Sequence, residues 1–241
     1  LDILRASDQP VVINVIGSIR DIAVAGKREP ELFTRNCAGV YLNAGTSTPK
    51  KADDAKLEYN TKLDPVAYLA VFDLPCPIYW MPCFETLDRT DSPRAPEFGT
   101  YYRFRQGEIL PQLSRQMKNY FASMFARRTD HNWLSTLAGK PDEAVLADQA
   151  GKDRNMWCTA GFFHAAGYTI TTDGATPRRD EKADDAVFSF DPVHITSEYP
   201  GRYEWTPDPN STRRFIFHVR DTEHYASATT KAMKSLLTTL P

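Results

Sequence analysis

The chain has no long apolar run, no surplus of one charge sign and few cysteines, and each shortage closes off a class of function. No stretch approaches the roughly 20 consecutive apolar residues that a membrane-spanning helix needs, so the sequence reads as soluble, with no membrane partner. Lysine plus arginine (29) nearly balance aspartate plus glutamate (31), and a formal net charge of -2 leaves no electrostatic footprint for nucleic acid. A small neutral or polar ligand suits such a surface better. The four cysteines, Cys37, Cys76, Cys83 and Cys158, include no C-x-x-C pair and no zinc spacing, which argues against a disulfide scaffold and for buried free thiols. The five histidines, His131, His164, His194, His218 and His224, are scattered, and structural or surface roles outweigh that of a leaving-group acid. There is no internal repeat and no low-complexity tract. With 241 residues, 41% of them hydrophobic and 12% aromatic, the chain can bury one sizeable core, and a single domain over 1–241 is the expectation.

No methionine opens the chain. Residues 1–7 read as the last turns of a helix that runs into a strand, and a βα unit that begins on its helix lacks the strand before it. The expectation is a chain whose N-terminal part is missing, so that neither a signal peptide nor the compartment can be read.

Continuous apolar runs over 11–16, 37–42 and 77–81 have the character of strands buried on both faces. Between them fall a short helix over 19–27, a lead-in segment over 30–33, and a helix over 65–72 with Asp64 at its cap and Pro65 at its first position. Three β-loop-α units of this kind predict adjacent parallel strands with crossover helices. Further on, 88–99 reads as an irregular loop. A long helix over 108–137 carries Leu113, Met117, Phe121 and Phe125 every fourth residue, which is a core-packing stripe before it is a ligand-gathering one. A smaller helix over 156–166, a polar surface excursion over 171–185, strands over 186–190, 194–197 and 213–219, and a closing helix over 222–237 complete the pattern. The fold class is α/β, with a mixed, mainly parallel sheet flanked by helices.

The most informative stretch is Glu58-Tyr59-Asn60 followed by Asp64-Pro65, a carboxylate and a carboxamide two residues apart just before a helix start. It resembles the E-F-N-x-x-x-D-P-x-A segment of the inosine/uridine-preferring nucleoside hydrolases, with Ala67 closing the match. Two softer segments agree in order: 12–23, similar to that family's strand running into G-P-L-T-N-L-A, and 213–237, similar to its C-terminal end. The resemblance implies a nucleoside-hydrolase-like fold and hydrolysis of the N-glycosidic bond of ribonucleosides. It also implies a calcium ion that holds the ribose diol and activates water. Glu58 and Asn60 take the positions of residues that bind the ribose 5'-hydroxyl, as a carboxylate and an amide can; the bland alternative is that Asn60 and Asp64 organise a loop and cap a helix. Asn43, in the loop after the second strand, is a further candidate sugar contact or an ordinary turn residue.

The chain departs from that family at every metal position. The D-x-D-x-x-x-D-D loop is absent from the 241 residues. Arg20 stands where the family has the threonine whose backbone carbonyl ligates the metal; its own carbonyl is a possible ligand, though a nearby guanidinium opposes a cation, while Asp21 replaces an asparagine, and Trp157 and Cys158 fall at the family's late His-Asp pair. A thiol is a poor calcium ligand. The resemblance therefore implies calcium for the family and no cofactor in this chain, with the hydrolytic activity impaired; no residue can be named as catalytic. The alternative is a non-catalytic homologue that binds a nucleoside or sugar. A third reading is an interaction protein presenting the aromatic stretch 98–104 to a partner. Homo-oligomerisation stays open.

Overall fold

The computed structural model describes residues 1–48, 57–86, 95–127, 132–199 and 201–241. Most of the expected loop over 88–99, and His131, lie outside the described residues. The chain begins with α1 (Asp2–Ala6), β1 (Val11–Val15), α2 (Arg20–Arg28), α3 (Pro30–Asn36) and β2 (Cys37–Asn43). The lead-in over 30–33 is thus a full helix, with Pro30 at its first turn, where a missing N–H costs nothing. Two short helices follow, α4 (Tyr59–Leu63) and α5 (Pro65–Ala70), then β3 (Ile78–Met81).

These three strands pair in parallel as expected, β1 with β2 and β2 with β3. Later come β4 (Tyr102–Arg105), α6 (Arg115–Phe125), α7 (Glu143–Ala150), β5 (Asp153–Met156), α8 (Thr159–Ala165), β6 (Phe188–Glu198), β7 (Arg202–Pro207), β8 (Arg214–Val219) and α9 (Tyr225–Thr238). The main sheet has the order β1-β2-β3-β8-β6-β7. It is parallel through β8 and antiparallel at β6 and β7. β4 and β5 form a separate antiparallel pair.

Strand alternation sends side chains to two cores. Val40, Leu42, Ile78, Trp80 and Ile216 meet Leu32, Phe33, Tyr68 and Phe72 on one face. Tyr41, Met81 and Phe217 meet Leu113, Ala160, Tyr225 and Ala228 on the other. Helices therefore cover both faces of a mixed, mainly parallel sheet.

Four expectations need correction. The helix over 108–137 is broken into two 3-10 turns, α6, and a 3-10 turn at Trp133–Ala138. Pro111 has no N–H to give a continuous helix, and Ser114 restarts the winding by accepting a hydrogen bond from Met117 N–H at 3.1 Å. Leu113 precedes that cap, while Met117, Phe121 and Phe125 do pack on the core. The helix over 156–166 begins only at Thr159, after a strand that ends at Met156. The two short strands over 186–190 and 194–197 are one strand, which leaves β8 for β7 at Pro192. Finally, Tyr101, Tyr102 and Phe104 are buried, so these rings serve the interior and not a partner.

No helix among the described residues is long and apolar enough to cross a membrane.

Arg214 at the start of β8 ties the end of the α5 segment to the sheet. Its Nε donates to Phe72 O at 2.7 Å, Nη2 to Leu74 O at 2.8 Å and Nη1 to Cys76 O at 3.0 Å. The planar fork suits this convergence of carbonyls that a helix end leaves unpaired. Arg214→Ala should lower unfolding free energy in urea by about 2–4 kcal/mol, the cost of orphaning several partly buried acceptors. A loss below about 1 kcal/mol would mean that water replaces the guanidinium.

Candidate functional site

The carboxyl ends of β1, β2 and β3 lie at one edge of the sheet, where open α/β sheets bind ligands. Three of the five candidate residues, Asn43, Glu58 and Asn60, come together there. Asn43 is the last residue of β2 and 3% exposed. Its Nδ2 donates to Met81 O at 3.0 Å and to Thr100 Oγ1 at 2.9 Å, and its Oδ1 accepts from Cys83 Sγ at 3.5 Å. Asn43 thereby laces the end of β2 to the end of β3.

Glu58 caps α4. Its carboxylate accepts from the N–H groups of Asn60 (3.0 Å), Thr61 (3.2 Å) and, across the loop, Gly45 (2.9 Å). Gly45 has φ +79°, and a Cβ there would collide with the Tyr68 hydroxyl, so only glycine lets this N–H reach the carboxylate. Three main-chain donors are what a buried carboxylate needs to remain in place.

Asn60 follows on α4, with Nδ2 donating to Asn43 O at 2.9 Å. Because a carbonyl only accepts, that bond fixes which end of the carboxamide is which. Asn60 Oδ1 then accepts no hydrogen bond from a described residue. It is also not one of the sealed polar atoms without partners, which among the described residues are Thr61 Oγ1, Trp157 Nε1 and Thr229 Oγ1. The arrangement leaves one oriented acceptor at the strand ends.

Asp64 is a cap, accepting from Ala67 N–H at 3.0 Å, and Arg20 Nε meets its other oxygen at 2.6 Å. The Ala67 N–H foremost, then Arg20, holds the Asp64 carboxyl below the usual carboxylate range. Arg20 thus begins α2 with its charge paired to α5's cap. Cys158 sits just before α8 with φ +64°, a conformation uncommon for a residue with a side chain. Its thiol is pushed up to about 12 by burial and, next, by the Glu58 charge. Cys83 is raised by the same two causes. These two thiols and Glu58 therefore share one low-dielectric neighbourhood. Trp157 packs on Phe84 and Tyr101 beside Cys83.

This donor set does not fit a hard, oxygen-liganded cation. At these positions only the Arg20 backbone carbonyl is an oxygen donor, and the protonated Cys158 thiol offers such an ion nothing. Among the described residues, no group of three or more His, Cys, Asp or Glu side chains is placed to hold a metal.

Of the histidines, half-buried His164 of α8 has a defined partnership that sequence spacing could not reveal. Its Nδ1 lies 2.7 Å from Tyr41 Oη and its Nε2 3.0 Å from Arg179 Nη1. The same Arg179 Nη1 lies 3.3 Å from Nδ1, so the guanidinium sits against both ring nitrogens. His218 bridges Asp191 at 2.6 Å, and His224 turns back on Asp221 at 2.8 Å.

No protein-family profile matches the chain, and no curated protein matches it. Among solved structures it is similar to an inosine-uridine preferring nucleoside hydrolase from Bacillus anthracis, at 11% identity and a TM-score of 0.40, over 97% of this chain and 63% of that one. It is also similar to a purine-preferring ribonucleoside hydrolase from Gardnerella vaginalis, at 14% identity and a TM-score of 0.45, over 99% of this chain and 65% of that one. The chain thus spans slightly less than two thirds of the length of either structure.

Burial first, and the Arg179 charge second, pushes His164 down to about 3. The native state then stays unprotonated there while the unfolded chain takes up a proton below about pH 6.5. Stability is fully present above that pH and declines as pH falls toward 3, by up to about 1.4 kcal/mol per unit from this group. Urea unfolding at several pH values should show a shallower acid slope for His164→Gln than for the wild type. Equal slopes would mean that His164 titrates alike in both states.

Proposed function

We propose that the chain is a single nucleoside hydrolase-like domain over 1–241 that binds a nucleoside, or its ribose moiety, at the carboxyl ends of β2 and β3. On this reading it does not itself cleave the N-glycosidic bond. The observation that carries the proposal is Asn60 Oδ1, an acceptor that takes no hydrogen bond from a described residue while its Nδ2 is anchored to Asn43 O. A ligand hydroxyl would donate to it. Asn43 and Glu58 have their polar atoms engaged, and they serve the ligand by positioning Asn60: Glu58 winds the first turn of α4, and Asn43 supplies the carbonyl that orients the amide. The Glu-x-Asn-x-x-x-Asp-Pro-x-Ala resemblance supports the choice of a ribose-like ligand, since the matching family segment holds a ribose hydroxyl.

The absence of cleavage follows from the donor set. Hydrolysis in the resembled family depends on a cation that holds the sugar diol and lowers the pKa of water. The chain offers at best the Arg20 backbone carbonyl, since Cys158, protonated at neutral pH, brings no oxygen, and one carbonyl does not make up that ion's ligand set. General acid-base catalysis contributes about 10² to 10⁴-fold, and an isolated histidine therefore does not replace the ion.

Calorimetric titration with inosine, adenosine and ribose should show Asn60→Ala weakening binding by about 1–3 kcal/mol with the thermal transition retained. Equal affinity in variant and wild type would return Asn60 to the role of loop organiser. Calcium titration should give no tight site, and a reducing-sugar assay on a nucleoside panel no release. Metal-dependent ribose release by this chain would overturn the non-catalytic reading while leaving the binding site in place.

A further inference from the structure

We infer that Cys37 and Cys76 are a redox-linkable pair, joined by two-electron oxidation into a disulfide across the amino ends of β2 and β3. The two residues lie at the starts of neighbouring parallel strands. The ladder shifts register between Cys37 and Gly39, which turns Cys37 into the same buried cluster as Cys76, and Val40 N–H to Pro77 O at 2.9 Å holds the two chains together just beyond them. Adjacent strands run about 4.8 Å apart, inside the Cα separation of about 4.4–6.8 Å that a disulfide accepts. Both side chains are buried in the same cluster, each thiol within electrostatic reach of the other.

A third group completes the cluster. Arg214, through Nη1, donates to Cys76 O, which places a fixed positive charge beside the pair. The Cys76 thiol draws the Cys37 thiol below its ordinary range, and the same interaction, with burial, raises Cys76. Cys37 is therefore the attacking thiolate and Cys76 the resolving one. Cys83 and Cys158 make the opposite case within the same molecule: burial and the Glu58 charge raise both.

With glutathione disulfide as the oxidant, the Cys37 thiolate attacks one sulfur and releases one glutathione thiolate. The Cys76 sulfur then attacks the mixed disulfide at Cys37 and releases the second. One protein S–S bond forms, two protein S–H bonds are lost, and both protons end on two glutathione thiols. The link would close the stretch of chain that carries Asn43, Glu58, Asn60 and Asp64.

Because both sulfurs are buried, the test refolds the chain from denaturant in a glutathione redox buffer, alkylates the remaining thiols and maps peptides without reduction. One intramolecular link, Cys37 to Cys76, is expected, with Cys83 and Cys158 alkylated. Oxidised protein should melt about 5 °C or more above its reduced form, a difference absent in Cys37→Ala. A Cys83→Ala/Cys158→Ala variant should keep the link. Four free thiols in the oxidising buffer, a Cys83 to Cys158 link in place of the expected one, or loss of the link in the double variant would each overturn the inference.

Discussion

Parallel strands that end together leave a row of main-chain N–H and C=O groups at one edge, and a buried edge must find partners for them. Much of this molecule follows from that constraint. β2 stops at Asn43, and beyond it the ladder is continued by side chains: Asn43 reaches Met81 O, Thr100 Oγ1 bonds Pro82 O, and Glu58 gathers three N–H groups. Each such group left unpaired would cost about 1–3 kcal/mol. Closing the edge is thus the work these polar residues visibly do. Asn60 differs from its neighbours in this respect, since the edge uses only half of its amide.

The same enclosure sets the electrostatics. A carboxylate at 7% exposure, held by main-chain dipoles and not by a guanidinium, projects its charge onto whatever lies nearby. Cys83 and Cys158 respond by holding their protons. Arg20 is paired to Asp64, and Glu58 is held by the backbone.

The parts of this arrangement that sequence could reveal are those written in local chemistry. The strands near Val11, Cys37 and Ile78 are unbroken apolar runs, and Asp64-Pro65 is a helix start by composition alone. A stripe at every fourth residue is satisfied equally by a continuous helix and by separate turns, so Pro111 and Ser114 had to decide the matter over 108–137. β7 was missed because Arg202, Glu204 and Thr206 dilute an alternation whose inward members are Tyr203 and Trp205. β4 was hidden in the same way by Arg103 and Arg105. Tyr41 and His164 are 123 positions apart, and Arg214 reaches carbonyls about 140 positions away; no spacing rule connects such pairs. The gathering of Asn43 around Thr100 and Cys83 was equally out of reach, although Asn43 itself was visible as a polar residue ending an apolar strand.

The two ends of the sheet divide the labour of holding the stretch between β2 and β3. At the carboxyl end, hydrogen bonds through Asn43, Gly45 and Glu58 fix where the chain leaves β2 and where α4 begins. At the amino end, the Arg214 guanidinium gathers the carbonyls of Phe72, Leu74 and Cys76 and fixes where β3 starts. Between these anchors, Tyr68 threads through the middle: its hydroxyl donates to Ala44 O, its own carbonyl accepts from Tyr203 Oη, and its ring packs edge-on to Phe72 and Tyr203. A displacement of α5 would therefore be felt at Ala44 and Gly45, next to the N–H that Glu58 holds. Because Gly45 cannot carry a side chain without striking Tyr68, this coupling is steric as well as polar, and the orientation of Asn60 depends on packing of the next helix.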